Sequence, residues 1–393
     1  MEWTTWAQEQ LRICDCEGVR RSTRTVPSSG GRFVVGGRTV LNFSSNDYLD
    51  LARDRGVTER AGAAITELGL GSGSARLVSG TLALHEQIEA ALAALVGKGA
   101  ALLFSAGYLA NLGMFSGICS RDDRVVSDKA IHASLIDGIL LSRADHSRFR
   151  HNDVNHAEMI LKKISAASPA GRIYVVTEAV FSMDGDTAPI QELAALAQHY
   201  GATLIVDQAH ALGVFGAAGE GLRPDLSPIV TGTLSKAFGA YGGFIGGPPV
   251  LRELLLSRSR QFIFNTSLPP AILAGAIEAI KRVREAATSE PLGKRLLENA
   301  SFFREELGRR GFDTLDSTSH IVPVLVPGNA EVMKLSQRLL EAGILVPAIR
   351  APTVAKGKER LRFSLTTAHE RADLLKAADT LAECAVEVGV SER

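Results

Sequence analysis

Asp207 closes the apolar run TLIV, His210 follows three residues later, and Lys236 stands beyond the next run, PIVTGTL. An acid at the end of a buried run is costly to desolvate unless a cation or a hydrogen-bond donor faces it. Lys236 sits among Leu234, Ala237 and Phe238 in the glycine-broken stretch TGTLSKAFGAYGGFIGG. A surface lysine snorkels to water, whereas a lysine in apolar surroundings becomes a nucleophilic amine. Glycines beside it let a backbone approach a ligand closely.

Schiff-base chemistry needs such an amine. If it runs on pyridoxal phosphate, it also needs an acid beside the ring nitrogen. Lys236 and Asp207 have those types. A phosphate needs backbone donors, and SAGYLANLG places Gly107 and Tyr108 where a helical pattern begins, with free N–H groups. Thr233 adds a hydroxyl near the lysine. His132 precedes another helical stretch, and its flat ring suits stacking on a planar cofactor. Taken singly, these read as readily as a turn glycine, a cap or a structural histidine. Arg350 in VPAIRAPTV and Arg362 in RLRFSL suit bidentate carboxylate binding. Arg20, Arg21 and Arg24 form a small basic cluster. No GxxxxGK[ST] occurs, and GLGSGSARLVSG breaks a GxGxxG pattern at Arg76. Nucleotide folds and a nicotinamide-dependent oxidoreductase lose support accordingly.

These residues work together only if one scaffold gathers them. AALLF, RVVSD, IYVVTE, TLIVD and IVTGT alternate with helix-like stretches such as YLANLGMFSGI and IQELAALAQHYG. Such alternation predicts a mostly parallel α/β sheet with helices on both faces, and ligands outside the carboxyl ends of its strands. After about residue 285 a charged helical stretch, two strand-like runs and a final helix suggest a second, α+β part. We therefore expect an N-terminal helical segment over 1–40, a large cofactor-binding domain over 41–285 and a smaller C-terminal domain over 286–393.

The totals narrow the class. With 43 basic and 43 acidic residues among 393, nothing argues for nucleic acid. No stretch has the length and apolarity of a membrane span, and the polar start lacks a signal-peptide pattern. Cys14, Cys16, Cys119 and Cys384 show no metal or redox spacing, so reduced thiols and a cytoplasmic location are expected, with no metal.

The motifs SNDYL, ARLVSGT, IHASL, RHNDV, VVTEAVFSMDGDTAPI, VDQAHALGVFG, TGTLSKAFG, FNTSLPP and AIRAPTV occur in one order along nearly the whole chain. Together they resemble the α-oxoamine synthases, which are fold-type I pyridoxal-phosphate transferases related in fold to aspartate aminotransferase. The resemblance implies that Lys236 is the Schiff-base lysine, that Asp207 faces the pyridine nitrogen and that His210 faces the phenolic oxygen. It implies that His132 stacks on the ring, with Ser182 near the phenolic oxygen. Gly107, Tyr108 and Thr233 would bind the phosphate, joined by Thr266 from the other subunit of an obligate homodimer. Asn46 and Arg362 would hold the amino-acid carboxylate. ARLVSGT and AIRAPTV are most similar to the members that join L-alanine to a pimeloyl thioester, of coenzyme A or an acyl carrier protein, in biotin biosynthesis. In those members Arg20 and Arg350 lie near the acyl substrate. Glycine acetyltransferase, 5-aminolevulinate synthase and serine palmitoyltransferase activities are the alternatives within the family. A regulatory protein on this fold would be expected to lack Lys236 or Asp207. Gln208 stands where an acid is usual, HALG where HGTG or HATG is common, and Asp50 where a glycine is usual.

Overall fold

The computed structural model describes residues 2–28, 30–167 and 170–390. They fall into two compact units. Residues up to Ser45 join those from Asn299 onward, and Asn46–Glu298 form the other unit. This differs from the division expected at residues 40 and 285. The reason is strand pairing. Within the first unit β1 (Arg32–Val35) pairs antiparallel with β2 (Arg38–Asn42), and β2 runs parallel to the distant Ile344–Leu345. The start of the chain is thus only partly helical, and it belongs with the C-terminal part.

The larger unit holds a seven-stranded sheet. Its strands are β3 (Ala100–Phe104), β4 (Arg124–Asp128), β5 (Asp145–Phe149), β6 (Ile173–Glu178), β7 (Thr203–Asp207), β8 (Ile229–Thr233) and β9 (Gly243–Gly247). The spatial order is β3-β9-β8-β7-β6-β4-β5. β4 to β8 run parallel, while β9 lies antiparallel to both of its neighbours. β6 and β8 are buried at every position, as their apolar runs predict. β5, DHSRF, buries only Phe149. It is an edge strand, so its polar face stays in water.

Helices Gly107–Ile118 and Ala133–Ser142 pack over one core with the sheet, through Met114, Phe115, Leu135, Ile139, Val176 and Ile205. Burying large apolar side chains like these contributes about 1.5–3 kcal/mol each. Asn111 is a buried amide in the mostly apolar helix Gly107–Ile118. A polar group in that position needs partners, and they are Asp207 at the end of β7 and Ser134 at the start of helix Ala133–Ser142.

In the other unit, β10 (Ile321–Leu325), β11 (Ile344–Leu345), β12 (Ala348–Ile349) and β13 (Arg360–Ser364) complete two three-stranded sheets, β1-β2-β11 and β10-β13-β12. Phe43 stacks on His369 at 4.3 Å and meets Phe363 edge-on at 5.3 Å in its core. Helix Trp3–Cys16 buries none of its residues. Among the described residues no helix is long and apolar enough to cross a membrane.

Candidate active site

The carboxyl ends of β4, β6, β7 and β8 and the start of helix Gly107–Ile118 surround a cavity of about 230 Å³. Lys236, Asp207, His210, His132, Gly107, Tyr108 and Thr233 all line it. The sheet brings them together because each ends a strand of this one sheet or follows one within four residues.

Lys236 Nζ lies 2.8 Å from His210 Nε2. Tyr48 Oη donates to Asn46 Oδ1 at 3.1 Å and lies 2.7 Å from His210 Nδ1. With its proton committed to Asn46, Tyr48 accepts from Nδ1–H, so Nε2 carries the lone pair that faces Lys236. A chain of hydrogen bonds thereby sets the tautomer of His210.

Asp207 is 5% exposed at the end of β7. Its Oδ2 accepts from Asn111 Nδ2 at 2.8 Å, and its Oδ1 from the Ala209 amide at 2.9 Å. Asn111 Nδ2 also donates to Ser134 Oγ at 2.9 Å, and Ser134 Oγ lies 2.8 Å from His132 Nδ1. His132 caps the helix Ala133–Ser142, its ring accepting from the Ser134 amide. Burial pushes the His132 imidazole below its ordinary value, although Asp207 opposes this. The His132 amide donates to Glu178 Oε1. Burial, then the nearby Asp207, hold the Glu178 carboxyl well above the usual range.

At the other end, Thr233 Oγ1 donates to the Gly242 carbonyl at 2.8 Å and accepts from the Ser235 amide at 3.1 Å. Gly107 and Tyr108 open the helix, where the first amides have no intrahelical acceptor. Tyr108 is 42% exposed, its hydroxyl donates to Asp137, and its ring meets His132 edge-on at 6.3 Å. A glycine is required at 243: a Cβ there would stand 2.4 Å from Gly107 N and Cα. The helix start is seated against β9 because that side chain is missing.

The residues suit pyridoxal phosphate on grounds internal to the cavity. A volume near 230 Å³ exceeds the roughly 150 Å³ that takes up benzene. The cavity offers an amine, a buried acid and a helix N-terminus. Asn111 Oδ1 is buried without a protein partner.

The other expected residues are not among those that line the cavity. Ser182 is buried in the turn after β6 and is not among the lining residues. Asn46 takes part through Tyr48. Thr266 lines a separate cavity of about 20 Å³ with Arg76, His85 and Asn265. Arg20, Arg350 and Arg362 belong to the other unit. There Arg350 donates to the carbonyls of Gly18 and Arg20, and Arg20 pairs with Asp15 at 2.7 Å. Arg362, 6% exposed on β13, donates to Ser364 Oγ at 2.6 Å. The departures at 208 and 50 have structural reasons. Gln208 is fully buried and exchanges hydrogen bonds of 2.8 and 2.9 Å with the backbone of Leu222. Asp50 adopts φ 55°, a left-handed conformation that aspartate tolerates better than most residues. Asn111, Ser134 and Tyr48 were not singled out from sequence. Asn111 carried one usable signal, an amide in an apolar helix one turn after Gly107.

A family model described as aminotransferase class I and II matches residues 38–381. The 8-amino-7-oxononanoate synthase of Geobacter sulfurreducens is 43% identical over 388 residues, 97% of each chain. The chain belongs to the 8-amino-7-oxononanoate synthase family. A solved member, the 8-amino-7-oxononanoate synthase of Francisella tularensis, is 28% identical with a TM-score of 0.76, covering 90% of this chain and 99% of its own. The fold is shared more widely. A variant of serine palmitoyltransferase from S. paucimobilis, solved with a PLP–myriocin aldimine, is 30% identical with a TM-score of 0.88 and 98% of each chain covered. The synthase family and this likeness agree with the fold-type I architecture expected from sequence.

Proposed function

We propose that the protein condenses L-alanine with a pimeloyl thioester, releasing carbon dioxide and the thiol and giving 8-amino-7-oxononanoate for biotin biosynthesis. The observation that supports it most is the convergence of Lys236, Asp207, His210 and the Gly107 helix start on one cavity, in a chain of this synthase family.

Pyridoxal phosphate is the cofactor; when bound, it supplies a sink for the electron pair freed at the amino-acid α-carbon. Lys236 Nζ anchors it, and Asp207 holds a proton on its ring nitrogen. Asn111 and the Ala209 amide keep the Asp207 oxygens turned toward the cavity. His210 and Ser182 would hold its phenolic oxygen, and His132 would stack on its ring. Gly107, Tyr108 and Thr233 take the phosphate, together with Thr266 of the other subunit in a homodimer. Once alanine is bound, Lys236 Nζ removes its Cα proton and later returns a proton to the product carbon. His210 beside it receives a hydrogen bond from the amine and keeps it oriented. Asn46 and Arg362 hold the alanine carboxylate, and Arg20 and Arg350 lie along the acyl chain. The free thiols of Cys14, Cys16, Cys119 and Cys384 fit work in the cytoplasm.

The test is thiol release by the cofactor-loaded protein. L-alanine, glycine and serine are each paired with pimeloyl-, acetyl-, succinyl- and palmitoyl-CoA, and a pimeloyl carrier protein is run in parallel. Preference for alanine with a pimeloyl donor is expected. Preference for another pair would move the substrate assignment, and silence with every donor would overturn the reading.

A further inference from the structure

His151 lies outside the cavity, in the turn RHND that follows β5. Its two ring nitrogens reach two different carboxyl groups. Nδ1 stands 3.1 and 3.2 Å from the oxygens of Asp128, and Nε2 stands 2.8 Å from Asp186 Oδ2. Asp128 is fully buried and also accepts from the Ala130 and Asn152 amides, at 2.7 and 2.8 Å. Asp186 Oδ2 further accepts from Asn152 Nδ2 at 2.7 Å. A neutral imidazole has one N–H and cannot donate to both groups; an imidazolium has two. Burial alone would lower the His151 ring, but its bonds to Asp128 and Asp186 outweigh that and raise it to about 10.

Asp128 shapes the loop that reaches the cavity at His132, and Asp186 is itself part of the loop that carries Ser182. Asp128 Oδ1 fixes the turn at Ala130 that leads to His132. The Asp186 carbonyl accepts from the Phe181 amide at 3.0 Å, and the Gly185 amide donates to the Phe181 carbonyl at 2.9 Å. These bonds close a tight turn around Ser182. The Phe181 ring meets His151 edge-on at 4.4 Å. Asn152, at φ 53°, adds a donor to the Thr187 carbonyl at 3.2 Å.

We propose that His151 is a positioning residue whose imidazolium, held between Asp128 and Asp186, ties the loop carrying His132 to the loop carrying Ser182. Asp184 lies in the same group, with ligand atoms of His151, Asp184 and Asp186 within 4.8 Å of one another. His151 Nε2 stands at hydrogen-bonding distance from Asp186 Oδ2, 2.8 Å, and in this proposal the ring supplies the positive charge among the carboxylates. The consequence for the cofactor rests on the functional reading above; the tie between the loops does not.

The experiment is histidine-selective 15N NMR on the full-length wild type and on His151→Gln and Asp186→Asn, with and without pyridoxal phosphate. In the wild type both His151 nitrogens should stay protonated from pH 6 to about 8.5. The His132 ring signals should move in both variants. Cofactor dissociation constants should rise about tenfold, the scale of weakening one hydrogen bond to a charged group. The double variant should be no worse than the weaker-binding single one, because both changes break one unit. A neutral His151 at pH 7 in the wild type, or unmoved His132 signals in a folded variant, would overturn the proposal. Should His151→Gln not fold, the near-isosteric Asp186→Asn and the wild-type titration still decide it. Failure of the wild type to bind cofactor would count against the functional reading alone.

Discussion

Gly243→Ala probes how the proposed phosphate end of the cavity is built. The added Cβ would stand 2.4 Å from Gly107 N and Cα and 2.6 Å from the Ala106 carbonyl carbon. Ordinary contact begins near 3.4 Å, so the helix start or β9 must retreat by about 1 Å. All three obstructing atoms are backbone, and no side-chain rotation can relieve the clash. Overpacking of this kind costs about 1–3 kcal/mol of stability. A retreat of about 1 Å also carries the Gly107 and Tyr108 amides away from the phosphate position proposed above, and weakening a hydrogen bond to a charged group costs roughly tenfold to a hundredfold in affinity. Urea unfolding of the cofactor-free protein reads the first effect, and titration with pyridoxal phosphate reads the second. Gly275→Ala is the matched control. It lies within helix Pro270–Ala286, and its Cβ would meet Val57 Cγ1 at 3.5 Å, an ordinary contact. It should leave cofactor affinity unchanged and stabilise by up to about 1 kcal/mol. If Gly243→Ala unfolds at the wild-type urea concentration and binds cofactor normally, the helix start is not seated on β9 as described.

Three further outcomes are expected. Lys236→Ala should abolish turnover while leaving the urea midpoint near that of the wild type; measurable thiol release with alanine and pimeloyl-CoA would contradict the role given to Nζ. Tyr48→Phe removes the acceptor of His210 Nδ1–H, at a cost of about 1–3 kcal/mol for a buried group left unsatisfied. It should also shift the pH profile of turnover, and an unchanged profile would count against the tautomer assignment. His151 has a folded value near 10, raised above its ordinary 6.5. Its contribution to stability is therefore complete below about pH 6.5 and is lost as pH rises toward 10. The urea midpoint should fall between pH 7 and 10 in the wild type and fall less in Asp186→Asn; equal slopes would show that the pair is not the source.

The sequence by itself determined the parallel core of the larger unit. Val- and Ile-rich runs such as IYVVTE and TLIVD are strands wherever they are buried on both faces, and the helices between them force parallel pairing. Asp207 and Lys236 were legible because a charge beside a buried run needs a reason. Tertiary structure alone decided the rest. GFIGG has two large apolar residues and little strand preference of its own; pairing with β3 and β8 makes it β9. DHSRF is too polar to read as a strand, and it is one only because it closes an edge beside β4. Asn111 reaches Asp207 across 96 positions, and Leu41 pairs with Ile344. Periodicity within a segment reports which face is buried, but it carries no record of which distant segment will bury it. The tautomer of His210, the capping of the Asp207 oxygens and the union of the chain's two ends all depend on that second choice.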